Sequence, residues 1–249
     1  SNHTQYAQGW AGMIMPAGQI TELVQGLDNI GELKNCDALL SGYLGSAEQG
    51  AEIAVAVKKM KALNPNAIYF CDPVMGHPEK GCIVSPGVQE FLKTQALAVA
   101  DIIAPNLLEL ETLTDTELHN LDEVIQACQS LLAKGLKMVV VKHLAKAATN
   151  KDQFEMLLVT EDGSYLISRP LYEFEKQPVG VGDLISGLML ANLQAGCEPV
   201  DAFERTNASV DAVLLETFKQ GAYELQLIRA QDAIATPVIK ERAKPVAAI

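Results

Sequence analysis

Hydrophobic positions along this chain follow two spacings. Apolar residues recur at helical intervals over 17–30 (AGQITELVQGLDNI), 47–63 (AEQGAEIAVAVKKMKAL) and 121–134, which predicts amphipathic helices. Between them stand short runs that are apolar throughout, at 37–41 (DALLS), 67–73 (AIYFCDP), 100–106 (ADIIAPN) and 137–143 (KMVVVKH). The first is followed by Gly42, the second and third are stopped by Pro73 and Pro105, and the fourth is rich in β-branched residues. Each predicts a strand. SPGVQEFLKTQAL reads as a helix with Ser85 as N-cap and Pro86 at the first helical position, and NLLELETLTD (106–115) as another. EMLLVT (155–160) and SYLISR (164–169), split by EDG, predict a hairpin at a sheet edge. From 181 onward the pattern is mostly helical.

Strands that are apolar on both faces, alternating with amphipathic helices, predict an α/β fold with a mostly parallel sheet covered on both sides. The hairpin is the expected antiparallel exception. No internal repeat or linker divides the sequence, so one domain is expected over 1–249. Ligands in such folds gather at the carboxyl ends of the strands. Chemistry is therefore sought just after residues 41, 71, 104 and 142, and just before the helix at 181.

Composition narrows the partners. The chain is 49% hydrophobic and 20% charged, which excludes global disorder. Its 19 basic and 31 acidic residues give a net charge of −12, which argues against nucleic acid or an anionic membrane as partner. No apolar run reaches the ~18 residues of a membrane span, and SNHTQYAQGW has neither a basic segment nor an apolar signal core. The five cysteines are odd in number and form no CxxC pair. Neither a disulfide framework nor a structural zinc site is supported, and reduced thiols, mostly small core residues, are expected in a cytoplasmic protein.

Five segments carry candidate chemistry. In Pro178-Val179-Gly180-Val181-Gly182-Asp183, two glycines precede a long apolar helix. Their backbone can turn tightly and present N–H groups in one direction, and the helix dipole makes the spot an anion site without a cation. Asp183 is either a helix-start carboxylate held by that dipole or a base beside a nest for developing negative charge, as phosphoryl transfer to a hydroxyl requires. Asp72-Pro73-Val74-Met75-Gly76 is either a plain turn or a device holding Asp72 at the mouth of the sheet. Asn106 and Glu109 have the spacing of a capping box, and could instead hold waters around Mg²⁺. Lys142 ends a buried strand, where it must meet an anion such as a nucleotide phosphate or snorkel to solvent. Tyr43, in Ser41-Gly42-Tyr43-Leu44-Gly45-Ser46, could lie flat on an aromatic substrate or pack in the core. The histidines at 77, 119 and 143 lack metal-ligand spacing, and neither a GxxxxGK[ST] loop nor an HRD motif is present.

Taken together, GVGD at 180–183, DPVMG at 72–76, APNLLELE at 104–111 and SGYLGS at 41–46 resemble the bacterial pyridoxal kinases of the ribokinase-like superfamily. SNHTQY at 1–6, FCDPVMGHPEKGCIVSPG at 70–87, FEMLLVT at 154–160 and ISRPL at 167–171 extend the resemblance over roughly 1–235. It implies a three-layer α/β/α sandwich and ATP-dependent phosphorylation of the 5′-hydroxymethyl of pyridoxal in the salvage of the vitamin. It implies Asp183 as the base, with the amides of Gly180, Val181 and Gly182 as the anion hole. Asp72, Ala104, Glu109 and Lys142 then line the ATP and Mg²⁺ site, Asn106 and Glu109 match the element linked to magnesium, and Arg169, Pro170, Leu171 and Tyr172 border the nucleotide. Thr4 and Gln5 match a substrate-contacting pair, and Tyr43 stacks near the pyridine ring. The resemblance also implies K⁺ beside Mg²⁺, and a homodimer. Family members carry about forty residues ahead of SNHTQY, which form a strand interior to the sheet; without that strand backbone groups would be left unpaired, so the segment is expected to exist outside this sequence.

Hydroxymethylpyrimidine kinase is the nearest rival, and its members often carry Cys where this chain has Asp183. A non-catalytic pyridoxal or pyridoxal-phosphate carrier is the rival from another class; the GVGD segment, the Asn106–Glu109 pair and Lys142 speak against it.

Overall fold

The structure, a computed structural model, describes residues 2–6, 9–77 and 81–247; the side chains of residues 2–6 and 10 lie outside that description. Strands β1 (Asn2–Tyr6) and β2 (Gly9–Met13) form a separate hairpin. The chain then runs through α1 (Ala17–Asn29), β3 (Ala38–Ser41), α2 (Ala47–Leu63) and β4 (Ile68–Cys71). A short ribbon follows, β5 (Gly76–His77) with β6 (Gly81–Cys82). Next come α3 (Pro86–Phe91), a wide turn over 92–96, α4 (Leu97–Val99), β7 (Ile102–Ile103), α5 (Leu107–Thr114), α6 (Leu121–Leu132) and β8 (Met138–Val141). The last elements are β9 (Gln153–Thr160), β10 (Gly163–Pro170), α7 (Val181–Gln194), α8 (Pro199–Lys219), α9 (Gln231–Ala235) and β11 (Lys244–Val246).

Seven strands form one sheet in the order β11-β10-β9-β8-β7-β4-β3. β3, β4, β7 and β8 are mutually parallel, and β8–β9, β9–β10 and β10–β11 pair antiparallel. Alternation along each strand explains why the runs are apolar throughout. Tyr69, Cys71, Val139, Val141, Leu157 and Val159 point into one core, which holds side chains of α2, α3, α5 and α6. Phe70, Met138, Val140, Met156 and Leu158 point the other way, onto Ile185 and Met189 of α7 and Phe203 and Val210 of α8. Helices thus cover both faces, and the three layers are present.

One reading of local structure is corrected. The hairpin does not lie at the edge, because β11, for which the sequence offers no motif, pairs Lys244–Val246 with Leu166–Ser164. Ser85 is the N-cap of α3 and Pro86 its first residue, as expected, with no side-chain capping bond from the Ser85 hydroxyl. All five cysteines are free, and Cys82 is exposed rather than in the core. Among the described residues no helix is long and apolar enough to cross a membrane.

Candidate active site

The carboxyl ends of β3, β4, β7 and β8 and the first turn of α7 meet at one place. Beyond β4, the Asp72 N–H donates to the Ser41 carbonyl (2.8 Å) and the Val74 N–H donates to the Asp72 carbonyl (2.9 Å). That turn directs the Asp72 side chain inward, where it is 1% exposed. Its Oδ1 accepts from Lys142 Nζ at 2.5 Å, and its Oδ2 from Ser186 Oγ at 2.7 Å. Lys142 follows β8 and is 6% exposed, so it does not snorkel. A buried ammonium is costly alone, and Asp72 supplies the counter-charge. Burial opposes its charge, but Asp72, Glu109 and Asp183 outweigh that cost and hold its pKa above the ordinary lysine value.

Asn106 and Glu109 do form a capping box. Asn106 Oδ1 accepts the Glu109 N–H (3.0 Å), and Glu109 Oε2 accepts the Asn106 N–H (2.7 Å). The same pair grips the DPVMG turn: Glu109 Oε1 accepts the Met75 N–H (3.0 Å), and Asn106 Nδ2 donates to the Gly76 carbonyl (2.9 Å). Glu109 is 1% exposed. Burial pushes its carboxyl up to about 7, against the pull of the Lys142 ammonium. The buried Ala104 N–H donates to the Cys71 carbonyl (3.0 Å), tying the end of β7 to β4.

The helix start is shaped by two glycines. Gly180, the N-cap, has φ 87°, a left-handed conformation that a side chain would strain, and no side chain caps the turn. Its carbonyl accepts the Leu184 N–H at 2.9 Å. First-turn N–H groups have no intrahelical acceptor, and the helix dipole places its positive end there. A Cβ at Gly182 would lie 3.3 Å from Lys142 Nζ, so the ammonium lies close against the first turn of the helix. Asp183 is exposed. A Cβ at Gly42 would lie 3.7 Å from Asp183 Oδ1, so the carboxylate faces the SGYLGS loop at the end of β3. On that loop Tyr43 is exposed, which removes the core-packing alternative.

The structure therefore brings together Asp72, Ala104, Asn106, Glu109, Lys142, Gly182 and Asp183. Thr4 and Gln5 pair with Ala11 and Trp10 in the β1–β2 hairpin, but their side chains lie outside the described residues. The 169–172 segment builds a second cluster against α8. Arg169 is 1% exposed, and its guanidinium carbon lies 3.8 Å above the Phe154 ring. Its Nη1 donates to Asn207 Oδ1 at 3.3 Å, while Nε and Nη2 have no hydrogen-bond partner among the described residues. Burial brings its pKa down to about 9. Pro170 and Leu171 are exposed, and the Tyr172 hydroxyl donates to Asp211 Oδ1 at 2.8 Å.

Sequence reasoning missed Ser186, Phe154 and Asn207. Ser186 had a signal, as the hydroxyl among LISGLML one helical turn after Asp183. The other two are recognisable only from pairing across β9–β10 and packing of α8.

Charge decides what the site can accept. Three carboxylates, Asp72, Glu109 and Asp183, act on one ammonium. A polyphosphate would meet net repulsion unless a cation came with it. Hard carboxylate oxygens suit Mg²⁺, and both Glu109 oxygens already accept N–H groups, which favours contact through water. The residues present thus fit the ion through water alone, since among the described residues no three carboxylate, histidine or cysteine side chains cluster to ligate a metal directly.

The phosphomethylpyrimidine kinase family model matches residues 21–227. A pyridoxal kinase PdxY of Aliivibrio fischeri is 66% identical over 249 residues, covering 99% of this chain and 86% of that protein. A second, from Proteus mirabilis, is 57% identical over 239 residues, covering 95% and 83%. The chain belongs to the pyridoxal kinase family. Solved structures of the family show the same fold. A pyridoxal kinase from Leishmania donovani, in complex with ADP and pyridoxamine, superposes with a TM-score of 0.87 at 22% identity, over 99% of this chain and 86% of that one. Plasmodium falciparum PdxK, with ligands AMP-PNP and PL, gives 0.85 at 22% identity, over 96% and 85%.

Proposed function

We propose that this chain phosphorylates the 5′-hydroxymethyl of pyridoxal with ATP, and that Asp183 is the base. The observation that carries the proposal is the juxtaposition at α7: Asp183 and the first-turn amides stand at the start of this helix, and the Lys142 ammonium lies 3.3 Å from where a Cβ on Gly182 would be and is acted on by Asp183. Asp183 takes the proton of the acceptor hydroxyl. The freed oxygen bonds to the γ-phosphorus, and the bond from that phosphorus to the bridging oxygen of ADP breaks. Negative charge on the transferring oxygens meets the N–H groups of Gly180, Val181 and Gly182 and the Lys142 ammonium. Asp72 fixes that ammonium, and Asn106 and Glu109 fix the turn that carries Asp72. Mg²⁺, held by Glu109 and Asn106 through water, would offset charge on the nucleotide phosphates, and K⁺ would answer the same excess of carboxylate. Tyr43 borders the acceptor ring, and residues 169–172 border the nucleotide from the Phe154 side. Pyridoxal and ATP are the partners, in a homodimer.

The test is phosphate-ester formation from ATP and pyridoxal, with Asp183→Asn alongside. Wild type turns over, and the variant loses about 10²–10⁴ in rate, the scale of acid–base catalysis. A variant as fast as wild type refutes the base. The phosphomethylpyrimidine kinase family match makes a hydroxymethylpyrimidine the second acceptor to assay; faster turnover of that compound would reassign the substrate.

A further inference from the structure

We propose that Ser186 is a positioning residue for phosphoryl transfer: it fixes the Asp72 carboxylate, and through it holds the Lys142 ammonium against the first turn of α7. The proposal rests on the kinase reading above. Ser186 lies on α7 one turn beyond Asp183 and is 1% exposed. Its hydroxyl donates to Asp72 Oδ2 at 2.7 Å, and Lys142 Nζ donates to the other oxygen, Oδ1, at 2.5 Å. The position of a Cβ on Gly182 falls 3.3 Å from that same Nζ. Two hydrogen bonds and this close approach form a ring that starts and ends on α7: Ser186, Asp72, Lys142, Gly182.

The ring answers a need specific to this helix. Gly180 has no side chain, and no side-chain hydrogen bond caps α7. The turn that must meet the transferring phosphoryl group is therefore not fixed by a cap of its own. Lys142 alone cannot fix it, because an ammonium on a four-carbon stem can turn toward any nearby carboxylate, and Glu109 and Asp183 both act on it. Ser186 is on the helix itself, so the hydroxyl locks the Asp72 carboxylate at a defined distance from the amides. Asp72 then presents only Oδ1 to the ammonium. Without the hydroxyl, Oδ2 is a buried acceptor that competes for the same cation.

Ser186→Ala removes the bond with little change of volume and no loss of helix propensity. Its expected effect is a fall in kcat of about tenfold to a hundredfold, the range for a hydrogen bond to a charged group, with KM for pyridoxal unchanged. Affinity for AMP-PNP with Mg²⁺, read by calorimetry, should change less than kcat, because the ring acts on the alignment of the transfer. Two comparisons separate positioning from mere support. In an Asp72→Asn background, Ser186→Ala should cost less than threefold further, since both changes break one ring. Ser209→Ala, which removes an equally buried hydroxyl on α8 bonded to the carbonyls of Ala233 and Ile234 in α9, should lower the melting temperature and leave kcat alone. Wild-type turnover with an unaltered Ser186→Ala overturns the inference and leaves the kinase reading intact. So does a Ser186→Ala loss that adds in full to that of Asp72→Asn. Absence of turnover in wild type defeats the kinase reading itself.

Discussion

Replacing Lys142 by Met tests the electrostatics of the site without any assay of turnover. Met keeps the length and apolar stem and removes the ammonium. Asp72 and Glu109, each 1% exposed, would then face each other without a cation. Removing one partner of a buried pair costs about 3–5 kcal/mol, because the remaining charge is left uncompensated. In a domain of this size each kcal/mol moves the melting midpoint by about 2–4 °C, so the variant should melt roughly 6–20 °C below wild type. The deficit should depend on pH. The Glu109 carboxyl titrates at about 7 in the folded protein, against 4.5 when free. Its pKa is raised, so the folded state binds the proton more tightly, and stability falls as pH rises from about 4.5 through 7. Without the lysine that penalty grows. Urea titrations at pH 5.5 and 8 should therefore show a larger loss at pH 8. The double variant Lys142→Met/Asp72→Asn, which also removes a charge from the pair, should recover more than half of it. A single variant within about 1 kcal/mol of wild type at pH 8 would mean that the pair is not desolvated as described.

Two further outcomes follow from neighbouring contacts. Gly182→Ala places a methyl 3.3 Å from Lys142 Nζ; thermal melts should stay level or rise, since Ala favours the helix by about 0.5–1 kcal/mol, while kcat drops about tenfold through the displaced ammonium, and an unchanged kcat would separate Lys142 from the anion site. His143 is stacked 4.5 Å from Phe154, and burial lowers its pKa to about 4; the folded state excludes its proton, so stability present above pH 6.5 is lost as pH falls toward 4, by up to about 3 kcal/mol, and in a His143→Phe variant that acid-side decline, followed by urea titration, should flatten.

Legibility in the sequence tracked how local each cause was. Helix α2 begins and ends where its apolar period does, and the capping box at Asn106 is set within four residues. The strands β4 and β8 announce themselves because both faces are buried against helices. By contrast β11 is three residues containing a proline, with no alternation to read; it is a strand only because β10 offers it a partner. The GVGD, DPVMG and APNLLELE segments marked the site one by one, but not the bonds between them. That Lys142 meets a carboxylate rather than solvent depends on Asp72, seventy positions away. Ser186 reaches the same carboxylate across 114 positions. Arg169 could be placed near a nucleotide only by resemblance, and its burial over Phe154 is settled by strand register and by α8.

The acidity of the chain and the anionic nature of its proposed co-substrate are compatible because the site separates the two problems by distance. Close to the transferring group, attraction comes from amides and one ammonium whose positions are set by the backbone and by Asp72. These dipoles cost no reorganisation when charge develops. The three carboxylates nearby differ in setting: Asp72 is paired with Lys142, Glu109 has its proton affinity raised by burial, and Asp183 is exposed. Of the three, Asp183 alone is exposed and stands on the first turn of α7, which suits it to the proposed role of proton acceptor. In the proposed reaction a cation accompanying the polyphosphate would offset the carboxylate charge that one lysine leaves uncompensated. The same arrangement makes Asp72 unsuited to the role of base: its two oxygens are already committed, to Lys142 and to Ser186.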